Sequence, residues 1–252
     1  MEEILEKLIN LSHQLADPDL DLAILGEGNT SASCGNGTFW VKASGSQLST
    51  IDRQGFSRIH AEPVLDLLDD QDADDSDVAE CLREALADEK MNKPSVETFL
   101  HALCLYEAGV NWVGHTHPVS VMSILCSKQG AEPFKQHIFP DVIVVCGIEP
   151  AVVPYVDPGL PLARAVRDEL RRYLDANGVA PKLMLMQNHG MVALGMQDRD
   201  VINISLMADK WARTLLGTFT AGGPRYLSQE ESKRIETRPD EEHRRKKISA
   251  LK

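Results

Sequence analysis

PSVETFLHALCLYEAGVNWVGHTHP, Pro94 to Pro118, decides the fold class. Its first part has apolar residues at Phe99, Leu100, Leu103 and Leu105, helical spacing that predicts a helix from about Ser95 to Ala108. Ser95 is a credible N-cap and Gly109 a credible stop. The second part, Val110-Asn111-Trp112-Val113-Gly114, reads as a strand running into His115-Thr116-His117, before Pro118 opens another helix over about 118–127. A helix that hands directly to a strand, and a strand to a helix, marks an α/β domain. In a strand, residues i and i+2 share a face, so His115 and His117 converge on one point. Neutral imidazoles suit a borderline cation such as Zn²⁺, which takes three or four protein ligands. A lone His-x-His is a weak signal, and two others add to it: Gln187-Asn188-His189-Gly190 between short apolar runs, and Glu97 near the start of the helix.

Outward from this stretch, the same alternation continues. Residues 3–16 have the spacing of an amphipathic helix. Residues 31–42 predict a hairpin turning at Gly35-Asn36-Gly37. A short helix is expected over 60–68, an acidic loop with six aspartates over 69–77, and a helix over 78–88. Strands are expected at Val142–Cys146, Ala151–Pro154, Leu183–Met186 and Met191–Leu194, with long helices over 159–177 and 198–218. Short connections and hairpins favour a largely antiparallel sheet with helices on both faces. From Pro224 the chain turns highly charged, with a basic cluster Arg244-Arg245-Lys246-Lys247. We read 1–222 as one domain and 223–252 as a charged tail, helical and either solvated or in subunit contact.

Composition narrows the function classes. The chain has 252 residues, 43% hydrophobic and 25% charged, ordinary for a globular protein with a sizeable core. A net charge of −12 argues against a broad nucleic-acid footprint. Five scattered cysteines without finger spacing fit reduced thiols in a cytoplasm. The acidic start lacks a signal-peptide core, and no run approaches the roughly 18 apolar residues of a membrane span. There is no Walker pattern, Rossmann fingerprint or Gly-x-Ser-x-Gly elbow. Two turns rich in glycine and hydroxyls, Gly26–Ser31 and Ala43-Ser44-Gly45-Ser46, are candidate anion sites. A carboxylate beside a metal can act as general base on a C–H bond next to a carbonyl, the role open to Glu97. His101, one helical turn after Glu97, is a candidate supporting residue.

Five segments in order make the match specific: Gly28-Asn29-Thr30-Ser31, Ala43-Ser44-Gly45, Pro94-Ser95-Val96-Glu97, His115-Thr116-His117-Pro118 and Gln187-Asn188-His189-Gly190. From about Leu5 to Phe219 the chain resembles the class II aldolase/adducin family. The resemblance implies a three-layer α/β/α sandwich around a mainly antiparallel sheet, assembled as a homotetramer. It implies Zn²⁺ on His115, His117 and His189, Glu97 as acid/base, and substrate phosphate near Asn29, Ser44, Gly45 and Ser95. Gly28, Thr30 and Ser31 complete the expected anion pocket. The chain departs from the family's aldolase pattern at Gly26 and Val96, where hydroxyl-bearing residues help hold phosphate; Thr30 and Ser31 are the expected substitutes. The function implied is zinc-dependent cleavage of a ketose, in the main a sugar phosphate, through a metal-stabilised enediolate. The alternatives on the same site are epimerase, decarboxylase or dehydratase. The family's epimerases tend to carry aspartate where Glu97 stands, which leans towards a lyase. An adducin-like binding module is disfavoured because all three histidines are present.

Overall fold

A computed structural model of the protein describes residues 1–241 and residue 247. The chain opens with α1 (Glu2–Leu15), β1 (Asn29–Ser33), β2 (Thr38–Lys42) and β3 (Phe56–His60). It continues with α2 (Ala61–Leu67), α3 (Asp75–Glu84), α4 (Thr98–Tyr106), β4 (Trp112–Thr116) and α5 (Val119–Leu125). Then come α6 (Pro140–Cys146), β5 (Ala151–Val153), α7 (Leu160–Asn177), β6 (Leu183–Met186), β7 (Gly190–Gly195), α8 (Asp198–Thr220) and α9 (Gln229–Glu236).

The strands form one seven-stranded sheet in the order β3-β2-β1-β4-β7-β6-β5. Every pairing is antiparallel except β5 with β6. Strand alternation splits the core in two. Phe39, Val41, Val113, Val192 and Leu194 pack with α2, α3, α4 and α7 on one face. Trp40, Trp112, Leu185, Met191 and Ala193 pack with α1, α5, α6 and α8 on the other. This is the three-layer α/β/α sandwich that the resemblance implies. Gly114 lets the second layer close: a Cβ there would stand 2.5 Å from Val201 Cγ1 on α8 and 3.1 Å from Leu15 Cδ1 on α1.

The two rims of the sheet are covered. On β3, the His60 amide donates to Ala85 O (2.7 Å), and Arg58 O accepts from the Ala87 amide (2.8 Å). On the three-residue β5, the Val152 amide donates to Glu169 Oε1 of α7 at 3.0 Å.

Several elements differ from the sequence reading. Val142–Cys146, read as a strand, lies in α6. Its β-branched residues favour a strand locally, but Pro140 sits in the first turn, where proline starts helices, and Gly147 (φ +89°) ends it. Burial against α8 and α9 then decides. β3 was not anticipated. α3 begins inside the expected acidic loop, because Asp74 and Asp77 form a reciprocal capping box at its start. α4 starts at Thr98 with Glu97 in the N-cap position, so Ser95 lies ahead of the helix and does not cap it. In the charged tail, α9 packs on α6 through Ile235, Ile143 and Val144. Of the basic cluster, all but Lys247 lies outside the described residues. No described helix is long and apolar enough to cross a membrane.

Candidate metal centre and active site

His115 is the penultimate residue of β4, on the face shared with Val113, and His117 follows just beyond the strand. Thr116 pairs with Met191, which brings the turn between β6 and β7 alongside, and with it His189. Asn188 makes this turn from the left-handed region (φ +54°), which asparagine tolerates. The result is a cluster of three ring nitrogens, one from each of His115, His117 and His189, all within 4.8 Å of one another. Gly190 leaves room for the rings: a Cβ there would lie 2.6 Å from His117 Cδ2 and 2.7 Å from Thr116 O.

The protons in this cluster are constrained. His115 Nδ1 is 2.9 Å from Met191 O, and His117 Nδ1 is 3.2 Å from Glu27 Oε2. A carbonyl and a carboxylate can only accept, so both rings donate from Nδ1. Their Nε2 atoms then face each other at 2.9 Å. Two lone pairs at that distance repel unless a proton or a cation lies between them. A divalent cation on neutral imidazoles, each anchored through its other nitrogen, satisfies this arrangement.

Glu97 supplies the negative charge. Its Oε1 is 3.4 Å from His115 Nε2 and accepts from His189 Nε2 at 3.3 Å. Its Oε2 accepts from Asn29 Nδ2 at 2.9 Å. Burial alone would raise the Glu97 pKa, but the neighbouring His115 charge and the bonds from His115, His189 and Asn29 hold it well below the usual 4.5. Burial likewise works against a charge on His115; the Glu97 carboxylate outweighs it, so that pKa is raised. His117 is pushed down to about 3 by burial and by the two neighbouring histidines, which keeps it neutral and able to ligate.

Not every expected residue joins this network. Asn29 lies opposite His115 in the sheet, and its Nδ2 also donates to Ser95 Oγ at 3.0 Å. Gly28 (φ +78°) comes so close that a Cβ would stand 3.0 Å from His115 O. The Ser44-Gly45 turn lies beside Ser95: Ser44 N donates to Lys93 O (2.8 Å), and Ser95 N donates to Lys42 O (3.2 Å). Thr30 and Ser31 do not reach the open site. Thr30 Oγ1 is bonded to Ser12 Oγ under α1 (2.7 Å), and Ser31 Oγ to His101 Nδ1 (2.6 Å); all four residues are fully buried. Alternation along β1 sends Thr30 to the opposite face. The hydroxyls missing at Gly26 and Val96 are therefore not replaced from these two positions.

Two residues here were missed in the sequence. Lys42 is buried and donates to Gly26 O and Gly28 O, both at 2.7 Å. Burial lowers its pKa, against the pull of Glu97. Its signal was a lone charge closing Phe39-Trp40-Val41, directly before Ala43-Ser44-Gly45. Glu27 was visible only as an acid between two glycines.

Residues 6–216 match the model of the class II aldolase and adducin N-terminal domain. The chain belongs to that family. It is 30% identical over 242 residues to YuxG of Bacillus subtilis (strain 168), described as an uncharacterized oxidoreductase. That match covers 91% of this chain and 32% of YuxG, so the chain spans about a third of the relative's length. Among solved structures, it resembles the N-terminal class II aldolase domain of a conserved protein from Thermoplasma acidophilum (25% identity, TM-score 0.67), over 84% of this chain and 93% of that one. It also superposes on L-fuculose 1-phosphate aldolase with a TM-score of 0.69 at 16% identity, covering 94% of this chain and 95% of that one. At that identity the likeness is one of fold. Class II aldolases are typically metal-dependent, and this chain has a histidine triad able to bind a metal.

Proposed function

We propose that the protein is a zinc-dependent aldehyde-lyase that cleaves a phosphorylated ketose into an aldehyde and a smaller carbonyl compound. The observation that carries this reading is the pair of His115 and His117 Nε2 atoms facing at 2.9 Å beside the Glu97 carboxylate. His115, His117 and His189 would hold Zn²⁺ with a coordination position left open. Bound there, the ion supplies positive charge at a substrate carbonyl oxygen, worth several kcal/mol of transition-state stabilisation.

Glu97 handles the proton. In cleavage, the hydroxyl on the departing carbon loses its proton, the carbon–carbon bond breaks as the aldehyde C=O forms, and the electron pair stays on the fragment next to the carbonyl. A proton delivered to that carbon completes the reaction, and we assign its transfer to Glu97. Asn29 holds Oε2, which leaves Oε1 turned to the histidines. Asn29, Ser44, Gly45 and Ser95 form the cradle for the phosphate, on the side where Lys42 shapes the Gly26–Gly28 backbone. The oxidoreductase description of YuxG belongs to a protein of which the match covers 32%. The working assembly we assign is a homotetramer, which light scattering would read directly.

The test is a panel of ketose phosphates and free ketoses with the zinc-loaded protein, following aldehyde and CO₂ together. Aldehyde from a phosphorylated ketose, lost with chelator and restored by Zn²⁺, is the expected result. CO₂ without aldehyde would move the site to decarboxylation. Silence towards every ketose from a protein that holds zinc would remove the lyase reading.

A further inference from the structure

Beyond the histidines and Glu97, a second carboxylate touches the cluster. Glu27 Oε2 accepts from His117 Nδ1 at 3.2 Å, while its Oε1 accepts from the Ile24 amide at 2.6 Å. One side chain thus bridges a candidate metal ligand and the loop over residues 21–28. We propose that Glu27 is a positioning residue: it fixes the tautomer of His117 and couples metal binding to the order of this loop. The inference rests on the metal reading of the histidine cluster.

The two strand histidines are anchored differently. His115 gives its Nδ1 proton to a backbone carbonyl of the adjacent strand, which the sheet holds in place. His117 stands past the strand end, and its Nδ1 partner comes from a loop. A carboxylate there makes Nδ1 the protonated nitrogen, directs the Nε2 lone pair at the cluster and increases its donor strength. Without Glu27 the ring is free to choose the other tautomer or to rotate.

The loop depends on the same contact. Asp21 (φ 53°) and Leu25 (φ 56°) both stand in the left-handed region without being glycine. Such residues persist only where the surroundings hold them. The holding contacts include His117 N to Leu22 O (2.9 Å), Val119 N to Asp21 O (3.3 Å), Glu27 N to Ile24 O (3.3 Å), the Lys42 bonds to Gly26 and Gly28, and the bond from the Ile24 amide to the Glu27 carboxylate. Two of these involve His117 or the carboxylate that grips it. A cation on His117 therefore stiffens the loop through Glu27, and leaves Leu25, 81% exposed, less open to a protease.

The experiment uses the full chain as wild type, Glu27→Ala and Glu27→Gln. Zn²⁺ affinity is read by competition with a chromophoric chelator, Co²⁺ loading by its visible spectrum, and loop order by chymotrypsin cleavage at Leu25 with and without Zn²⁺. Glu27→Ala should bind Zn²⁺ about 10–100-fold more weakly, the scale for losing such a partner. It should also shift the Co²⁺ bands and lose the metal-dependent protection at Leu25. Glu27→Gln, whose amide oxygen still accepts from Nδ1, should recover most of the affinity. Equal Zn²⁺ affinity in wild type and Glu27→Ala overturns the role of Glu27 while leaving the metal centre standing. A Gln variant as weak as the Ala variant overturns the tautomer account. A wild type that takes up neither ion removes the metal reading itself, and this inference with it.

Discussion

Gly190→Ala adds one methyl group at the most crowded point of the site. Its carbon would lie 2.6 Å from His117 Cδ2, 2.7 Å from Thr116 O and 3.3 Å from His115 Cε1. Ordinary carbon contacts are ~3.5–4.0 Å, so the nearest atoms must give way by about 1 Å. Thr116 belongs to β4 and is paired with Met191 of β7, so its carbonyl cannot retreat without opening the sheet. His117 can move only by leaving Glu27 and His115. Overpacking of this kind costs about 1–3 kcal/mol. At about 2–4 °C per kcal/mol for a chain of this size, the melting temperature in chelator should fall by ~2–12 °C. Zn²⁺ affinity should fall as well, because the relief comes from the ligand rings. Gly217→Ala is the matched control. Gly217 lies in α8, exposed, with nothing within 4 Å of the added carbon. There the same change should raise stability by about 0.5–1 kcal/mol by removing backbone freedom from the unfolded chain, and leave Zn²⁺ affinity unchanged. If the packing argument holds, calorimetry gives shifts of opposite sign for the two variants, and chelator competition shows a loss in Gly190→Ala alone. A Gly190→Ala protein with wild-type melting temperature and zinc affinity would refute it.

Glu97→Gln should cut turnover by about 10²–10⁴-fold while most of the zinc stays bound, since three imidazoles remain; near-normal kcat on a cleaved ketose would take Glu97 out of the mechanism. His101 is fully buried, and burial pushes its pKa from 6.5 down to about 3. Above pH 6.5 it is neutral both folded and unfolded; below that, the unfolded chain takes up a proton that the folded one refuses, so stability falls with pH. Between pH 7 and 4.5 this amounts to about 3 kcal/mol, at ~1.4 kcal/mol per pH unit. Urea unfolding across that range should show a flatter profile in His101→Gln, and an unchanged slope would assign the acid sensitivity elsewhere.

The parts legible in the sequence are those where local pattern and tertiary demand agree. α7 has helical spacing and a left-handed Gly178 (φ +68°) after it; the hairpin of β1 and β2 has glycines at its turn. His115 and His117 were legible because strand period 2 makes a shared face a local property. The third histidine and Glu97 were visible as residues, but their meeting depends on β4–β7 register and on where α4 begins. The same alternation that reveals His115 separates Thr30 from its neighbour: Asn29 faces the site while Thr30 faces Ser12. α6 misled because its valines and isoleucine satisfy strand preference, and only its neighbours select the helix. Glu27, an acid between two glycines, and Lys42, a lone charge at the end of an apolar run, carry only faint local signals; their roles are contacts across the fold.

The covered rims of the sheet bear on how copies of this chain can meet. A strand edge with free amides and carbonyls invites another strand, in a partner or in a growing fibre. Here the outer side of β3 is engaged by the segment around Ala85–Ala87, and the outward amide of β5 is occupied by a glutamate from α7. Extending the sheet would mean first stripping away bonds the monomer already has. Assembly is thereby steered away from the strand edges to helix and loop surfaces. In the folded protein the same bond to Glu169 also blocks a Val-rich edge, Ala151–Val153, from cross-β addition.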